Sequence, residues 1–128
     1  MTKEPEAVVF IDTETTGFTE DDASGELIHF AAVKLNNSKF SRFFLPSGPI
    51  SDSAAKIHGL TMEKLKEEGA RPFSRDDAEE ILEFTGTGPL VVMHNKDFDL
   101  KVLLKAFKAV KIHLPLKDVP HPWRIQCT

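Results

Sequence analysis

Apolar residues fall along this chain in two rhythms. Val8-Val9-Phe10-Ile11 and Pro89-Leu90-Val91-Val92-Met93 are unbroken apolar runs, too short for core helices and rich in β-branched residues, so each predicts a strand buried on both faces. Leu27–Leu35 and Phe40–Leu45 predict two further strands, and Asn36-Asn37-Ser38 between them has the length and residue types of a hairpin turn. Elsewhere the spacing widens to the helical period. Ser51-Asp52-Ser53 starts a short helix that Gly59 stops, Thr61 caps a second one to Glu68, and Ser74 caps a third running through Phe84 with Ala78, Ile81 and Leu82 inward. From Phe98 onward, Leu100, Leu103, Leu104 and Phe107 form one apolar stripe while Lys101, Lys105 and Lys108 form a basic one. Thr19–Gly25 and Lys111–Pro122 read as loops, and Arg124–Thr128 opens a last strand. Phe10, Phe30, Phe43 and Phe44 are assigned to the core by alternation, with Trp123 as a further anchor.

The resulting order, β-β-β, helices, β, helix, β, predicts an α/β domain built on a mixed sheet. Strands 1–3 form an antiparallel meander, a right-handed helical crossover lays the fourth parallel beside the first, and the fifth joins parallel to the fourth, with helices packed on the sheet. This topology gathers charge. Asp12 and Glu14 end the first strand two residues apart, hence on one side of it, and Asp99 stands in the first turn of the helix leaving the fourth. Three carboxylates are thus expected to converge where open α/β sheets hold ligands. Like charges so placed repel and lose hydration unless a cation lies between them, and hard oxygen donors suit Mg²⁺ or Mn²⁺. Thr15-Thr16-Gly17 follows with small side chains and a flexible glycine, which lets backbone N–H groups come close to a ligand.

Composition bounds the function without choosing it. A chain of 128 residues, 41% hydrophobic and 28% charged, is expected to be one globular domain over 1–128, and no apolar stretch is long enough to cross a membrane. Met1–Glu6 lacks the apolar core of a signal segment and Cys127 is the single cysteine, so an intracellular setting, cytoplasmic or nuclear and not secreted, is expected. A net charge of −4 excludes a uniformly basic nucleic-acid glove, but not a nuclease whose carboxylates hold metal. Any surface that follows phosphates must then be local, such as the lysine face after Phe98. Among the histidines, His29 reads as a satisfied strand residue, His94 as a strand-end hydrogen-bonder, and His58 as either a polar turn residue or a ligand contact.

Three segments carry a resemblance. Asp12-Thr13-Glu14-Thr15-Thr16-Gly17, then Ile57-His58-Gly59-Leu60-Thr61, then His94-Asn95-Lys96-Asp97-Phe98-Asp99 with Leu103, in this order, resemble the motifs of the DEDDh 3′-to-5′ exonucleases, a family that includes polymerase proofreading subunits. The resemblance implies a ribonuclease H-like fold and phosphodiester hydrolysis at nucleic-acid 3′ ends, DNA ahead of RNA, with a polymerase or other protein as candidate partner and the oligomeric state open. It implies that Asp12, Glu14 and Asp99 hold two divalent ions, Mg²⁺ or Mn²⁺, roughly 4 Å apart. It further implies that Thr15, Thr16 and Gly17 approach the terminal nucleotide through backbone groups, that Ile57, His58 and Phe98 wall its base or sugar, and that Asn95 braces the second motif. The family's last motif, a general-base His with an Asp five positions on, is missing from its expected place. The domain is therefore expected to be incomplete at its C-terminus, and the chain alone to bind metal with weak or no nuclease activity. His113 and Asp118 have the right spacing, but the helix from Phe98 to about Lys108 carries the chain on the order of 15 Å from the metal edge. The rival expectation is a catalytically inactive exonuclease-like module that binds nucleic acid or protein.

Overall fold

In the computed structural model, residues 7–17 and 25–128 are described, so the expectations for Met1–Glu6 and for Thr19–Ser24 of the acidic loop lie outside the described residues. The elements are β1 (Val8–Thr15), β2 (Leu27–Lys34), β3 (Lys39–Phe43), α1 (Asp52–His58), α2 (Met62–Glu67), α3 (Arg75–Thr85), β4 (Leu90–Met93), α4 (Lys96–Ala109) and β5 (Arg124–Cys127). They build one mixed sheet in the order β3-β2-β1-β4-β5. β1 to β3 pair antiparallel, and β4 lies parallel to both β1 and β5, as the apolar pattern and the crossover rule require.

The core occupies one face of this sheet. Val9, Ile11, Phe30, Val91 and Met93 turn toward Ala78 and Ile81 of α3 and toward Val102, Leu103 and Phe107 of α4, all buried. The other face is not covered in the same way: Phe10 is 40% exposed, and with Ala31 and Val33 it lines an open apolar groove. β1 is therefore a one-sided strand, and Phe10 leaves the core to which alternation assigned it. A run of four apolar residues has the same appearance whether one face is covered or two. Phe30 and Phe44 are fully buried, whereas Phe43 stacks half-buried on His29.

Two helices differ from their expected outline. α4 begins at Lys96, two residues before Phe98, and its buried side is Asp99, Val102, Leu103 and Phe107, with Leu104 turned outward. The stripe is rotated by about one position because Asp99 itself faces inward and sets the helix's orientation. α3 is fastened at its start by a capping box between Ser74 and Asp77, which satisfies backbone donors at the N-terminus. Arg42 of edge strand β3 reaches Asp77 at 2.9 Å and also bonds Glu80, tying β3 to that helix. A second, smaller cluster of Ile28, Leu60 and Leu65 seats α2 and the segment that follows α1 against β2.

Candidate active site

The parallel pairing creates a notch. β1 and β4 match only from Val8–Leu90 to Ile11–Met93, while β1 continues along β2 to Thr15. Beyond Ile11, β1 has a strand neighbour on one side alone, and the first turn of α4 fills the other. Alternation turns Thr13 and Thr15 to the covered face and Asp12 and Glu14 away from it. Thr13 and Asp99 meet there, the hydroxyl donating to the carboxylate at 2.5 Å, with the two residues 5% and 3% exposed. A register shift between Glu14 and Thr15 then bends the strand end toward α1.

The turn after β1 is built from its own polar groups. The Thr16 N–H donates to the Glu26 carbonyl at 3.0 Å, the Thr16 hydroxyl accepts from the Glu26 N–H, and the Gly17 N–H reaches the Thr15 hydroxyl at 3.2 Å. The Thr16 carbonyl accepts from Ser51, the N-cap of α1. Gly17 has φ +99, and a Cβ there would stand 2.3 Å from the Ser51 hydroxyl oxygen, so only glycine permits this approach. At the far end of α1 the Leu60 N–H donates to His58 Nδ1 at 3.0 Å. The ring hydrogen therefore sits on Nε2, which donates to the Thr15 carbonyl at 3.0 Å. His58 is thus a clamp between α1 and β1.

Between these parts opens a cleft of about 270 Å³, lined by Thr13, Glu14, Thr15, Gly17, Ser53, Ala54, Ile57, His58, Asn95 and Phe98. It unites Glu14 with six of the seven residues expected to touch a nucleotide. Thr16 is the exception: it is buried, and its N–H and carbonyl are both bonded within the protein, because a buried backbone group without a partner is costly. The Gly17 N–H is likewise engaged, so the expected backbone approach to a ligand is replaced by side-chain and Cα surface. His113 is not brought to the cleft. It lines a separate cleft with Leu104, Lys108 and Lys111 at the other end of α4, about 20 Å along a 14-residue helix. The His113/Asp118 pair is thereby removed from the list of residues gathered at the carboxylates.

The acids feel one another. Burial pushes the Glu14 carboxyl above its ordinary range, the Asp12 charge raises it further, His58 opposes, and Asp99 adds to the rise. Burial likewise raises Asp99; the Thr13 hydroxyl and the Asn95 backbone amide pull against it, and Asp12 again pushes upward. This uncompensated repulsion between hard oxygen donors is what a divalent cation relieves, so the donor chemistry fits one. The convergence is looser than the sequence pattern implies: among the described residues no three His, Cys, Asp or Glu side chains are grouped so as to hold a metal ion, and the Asp99 carboxylate is engaged by Thr13. Thr13 is the participant that the sequence pattern passes over. Its signal was present, a polar residue at an inward position of an apolar strand.

Comparison with known proteins bears on the family and the fold. Residues 9–126 match the RNase T exonuclease family. The chain is 27% identical over 123 residues to the DNA polymerase III subunit epsilon of Haemophilus influenzae, covering 90% of this chain and 46% of that protein. It is 34% identical over 107 residues to the PolC-type DNA polymerase III of Halalkalibacterium halodurans, covering 80% of this chain and 7% of that protein. The chain thus spans about half the length of the epsilon subunit it matches. The fold superposes on Escherichia coli exonuclease I in complex with a dT13 oligonucleotide with a TM-score of 0.79 at 17% identity, over 96% of this chain and 28% of that one.

Proposed function

The chain belongs to the RNase T exonuclease family, and from that premise we propose that it forms the metal-dependent core of a 3′-to-5′ exonuclease acting on nucleic-acid 3′ ends. The observation that carries this reading is the electrostatic coupling of Asp12, Glu14 and Asp99 at the end of β1, with Glu14 also lining the cleft that contains Phe98. Asp12 and Glu14 supply hard oxygen donors from the outward face of β1, and Asp99 reaches the same strand end from α4. Mg²⁺ or Mn²⁺ bound there, two ions in the family's usual scheme, would polarise the scissile phosphate and activate water. Ile57 and Phe98 offer apolar surface to a terminal base or sugar, Asn95 offers an amide, and the clamp of His58 holds the Thr15 end of β1 in place. The cleft that these residues line has a volume of about 270 Å³, near the lower end for small-molecule pockets. DNA is the preferred substrate in this reading, since one similar solved structure, exonuclease I, holds dT13, and a polymerase is the partner suggested by the epsilon relatives.

The test uses a 5′-labelled single strand and excess protein. General-base assistance contributes about 10²–10⁴-fold where it is present, and His113 lies outside the cleft. Slow shortening from the 3′ end is therefore expected with Mn²⁺, none in EDTA, and none in D12N. Cleavage that persists in EDTA, or that starts at the 5′ end, overturns the proposal, as does a chain that neither binds Mn²⁺ nor shortens the strand.

A further inference from the structure

The buried contact between β1 and the first turn of α4 has a role that the carboxylates alone do not explain. A threonine at an inward strand position is ordinarily satisfied by a backbone group or replaced by an apolar residue. Here the Thr13 hydroxyl is directed 2.5 Å onto Oδ1 of Asp99, across 86 residues of sequence, and both side chains are almost fully enclosed. In this bond the Thr13 hydroxyl donates and the Asp99 carboxyl oxygen accepts. Asp99 is held on its other flank by the Asn95 backbone amide. The carboxylate is thereby held by one donor from the strand and one from the start of its own helix, whereas Asp12 lies on the exposed face of β1.

We propose that Thr13 is a positioning residue for Asp99: its hydroxyl engages one carboxylate oxygen and so fixes the direction in which Asp99 meets a divalent cation at the end of β1. This rests on the exonuclease reading above and deepens it. Partners behind a metal ligand typically govern affinity by 10–100-fold when removed. The strand register explains why this position and no other does so. β1 outruns β4 by four residues, and of those only Thr13 and Thr15 face the covered side. Thr15 already serves Gly17, which leaves Thr13 for the helix.

The experiment compares the wild-type chain with T13V, which preserves shape and removes the hydroxyl, with T13S, which restores it, and with T13A as a second deletion should T13V fold poorly. Mn²⁺ binding is followed by the paramagnetic resonance signal of free and bound ion, and the metal-free melting midpoint is recorded for each variant. T13V and T13A are expected to weaken Mn²⁺ affinity by about 10–100-fold, with T13S close to wild type. Wild-type affinity in a folded T13V or T13A overturns the positioning role while leaving the exonuclease reading intact. Failure of T13S to restore affinity also overturns it, because shape and not the hydroxyl would then be responsible. Absence of Mn²⁺ binding by the wild-type chain overturns the metal reading itself, and this inference with it.

Discussion

His29 lies half-buried on β2 opposite Glu14, its ring stacked on Phe43 at a centroid distance of 4.4 Å and its Nε2 2.8 Å from the Ser41 hydroxyl. Burial pushes this imidazole below its ordinary value of 6.5, and the Asp12 charge opposes the shift without cancelling it. Between the lowered value and 6.5 the unfolded chain binds a proton that the folded chain excludes, so stability rises with pH across that window. The contribution is complete above the ordinary value and is lost as pH falls through the lowered one. H29Q removes the titration, so the stability difference between wild type and H29Q should shift in favour of wild type from about pH 5 to about pH 7.5, measured by urea unfolding. A difference that does not change with pH would show that the ring binds protons equally in the folded and unfolded chain. At this scale the sequence was informative where charge made the argument: Asp12 and Glu14 could be placed together because a strand has a period of two. Thr13 bore only the fainter mark of a polar residue at an inward strand position, which gains its meaning once the opposing helix is in view.

Turns and helix ends carry the next level. In the Gly17 turn, the N–H groups of Thr16 and Gly17 donate to the Glu26 carbonyl and the Thr15 hydroxyl, while the Thr16 carbonyl accepts from the Ser51 N–H. G17A would force an L residue into φ +99 and drive a methyl group against Ser51. A cost of about 1–3 kcal/mol is expected, lowering the melting midpoint on the order of 5–10 °C, and a variant that melts with the wild type would show that α1 can move aside. S74A removes half of the capping box on α3 and should cost about 1 kcal/mol, seen as a lower denaturant midpoint at unchanged slope. The apolar runs located β1 to β4, and Ser51, Thr61 and Ser74 located three helix starts, because each is a local signal. The start of α4 was harder to read. Asn95 makes no side-chain cap bond there, and the helix begins at Lys96 with Asp99 of its first turn bonded to the strand.

For the molecule as a whole, the order of strands followed from connection lengths and handedness, and its core from period. What remained illegible was which face of the sheet stays open, because that depends on where helices pack and not on any strand's own residues. A net charge of −4 with acids crowded at one rim means that cation binding should stabilise the fold. Free Mn²⁺ at a hundred times its dissociation constant would add about 2.7 kcal/mol, visible as a rise in melting temperature that EDTA reverses and D12N lacks. An unchanged melt would leave the carboxylates without their neutralising partner. The hydrogen bond from Thr13 gives Asp99 a fastening duty besides any chemical one, whereas Asp12 is exposed on the outer face of its strand. Replacing Asp99 thus loosens a joint as well as deleting a charge, and an inert reference protein is better made at Asp12, where silence in an assay can be ascribed to chemistry alone.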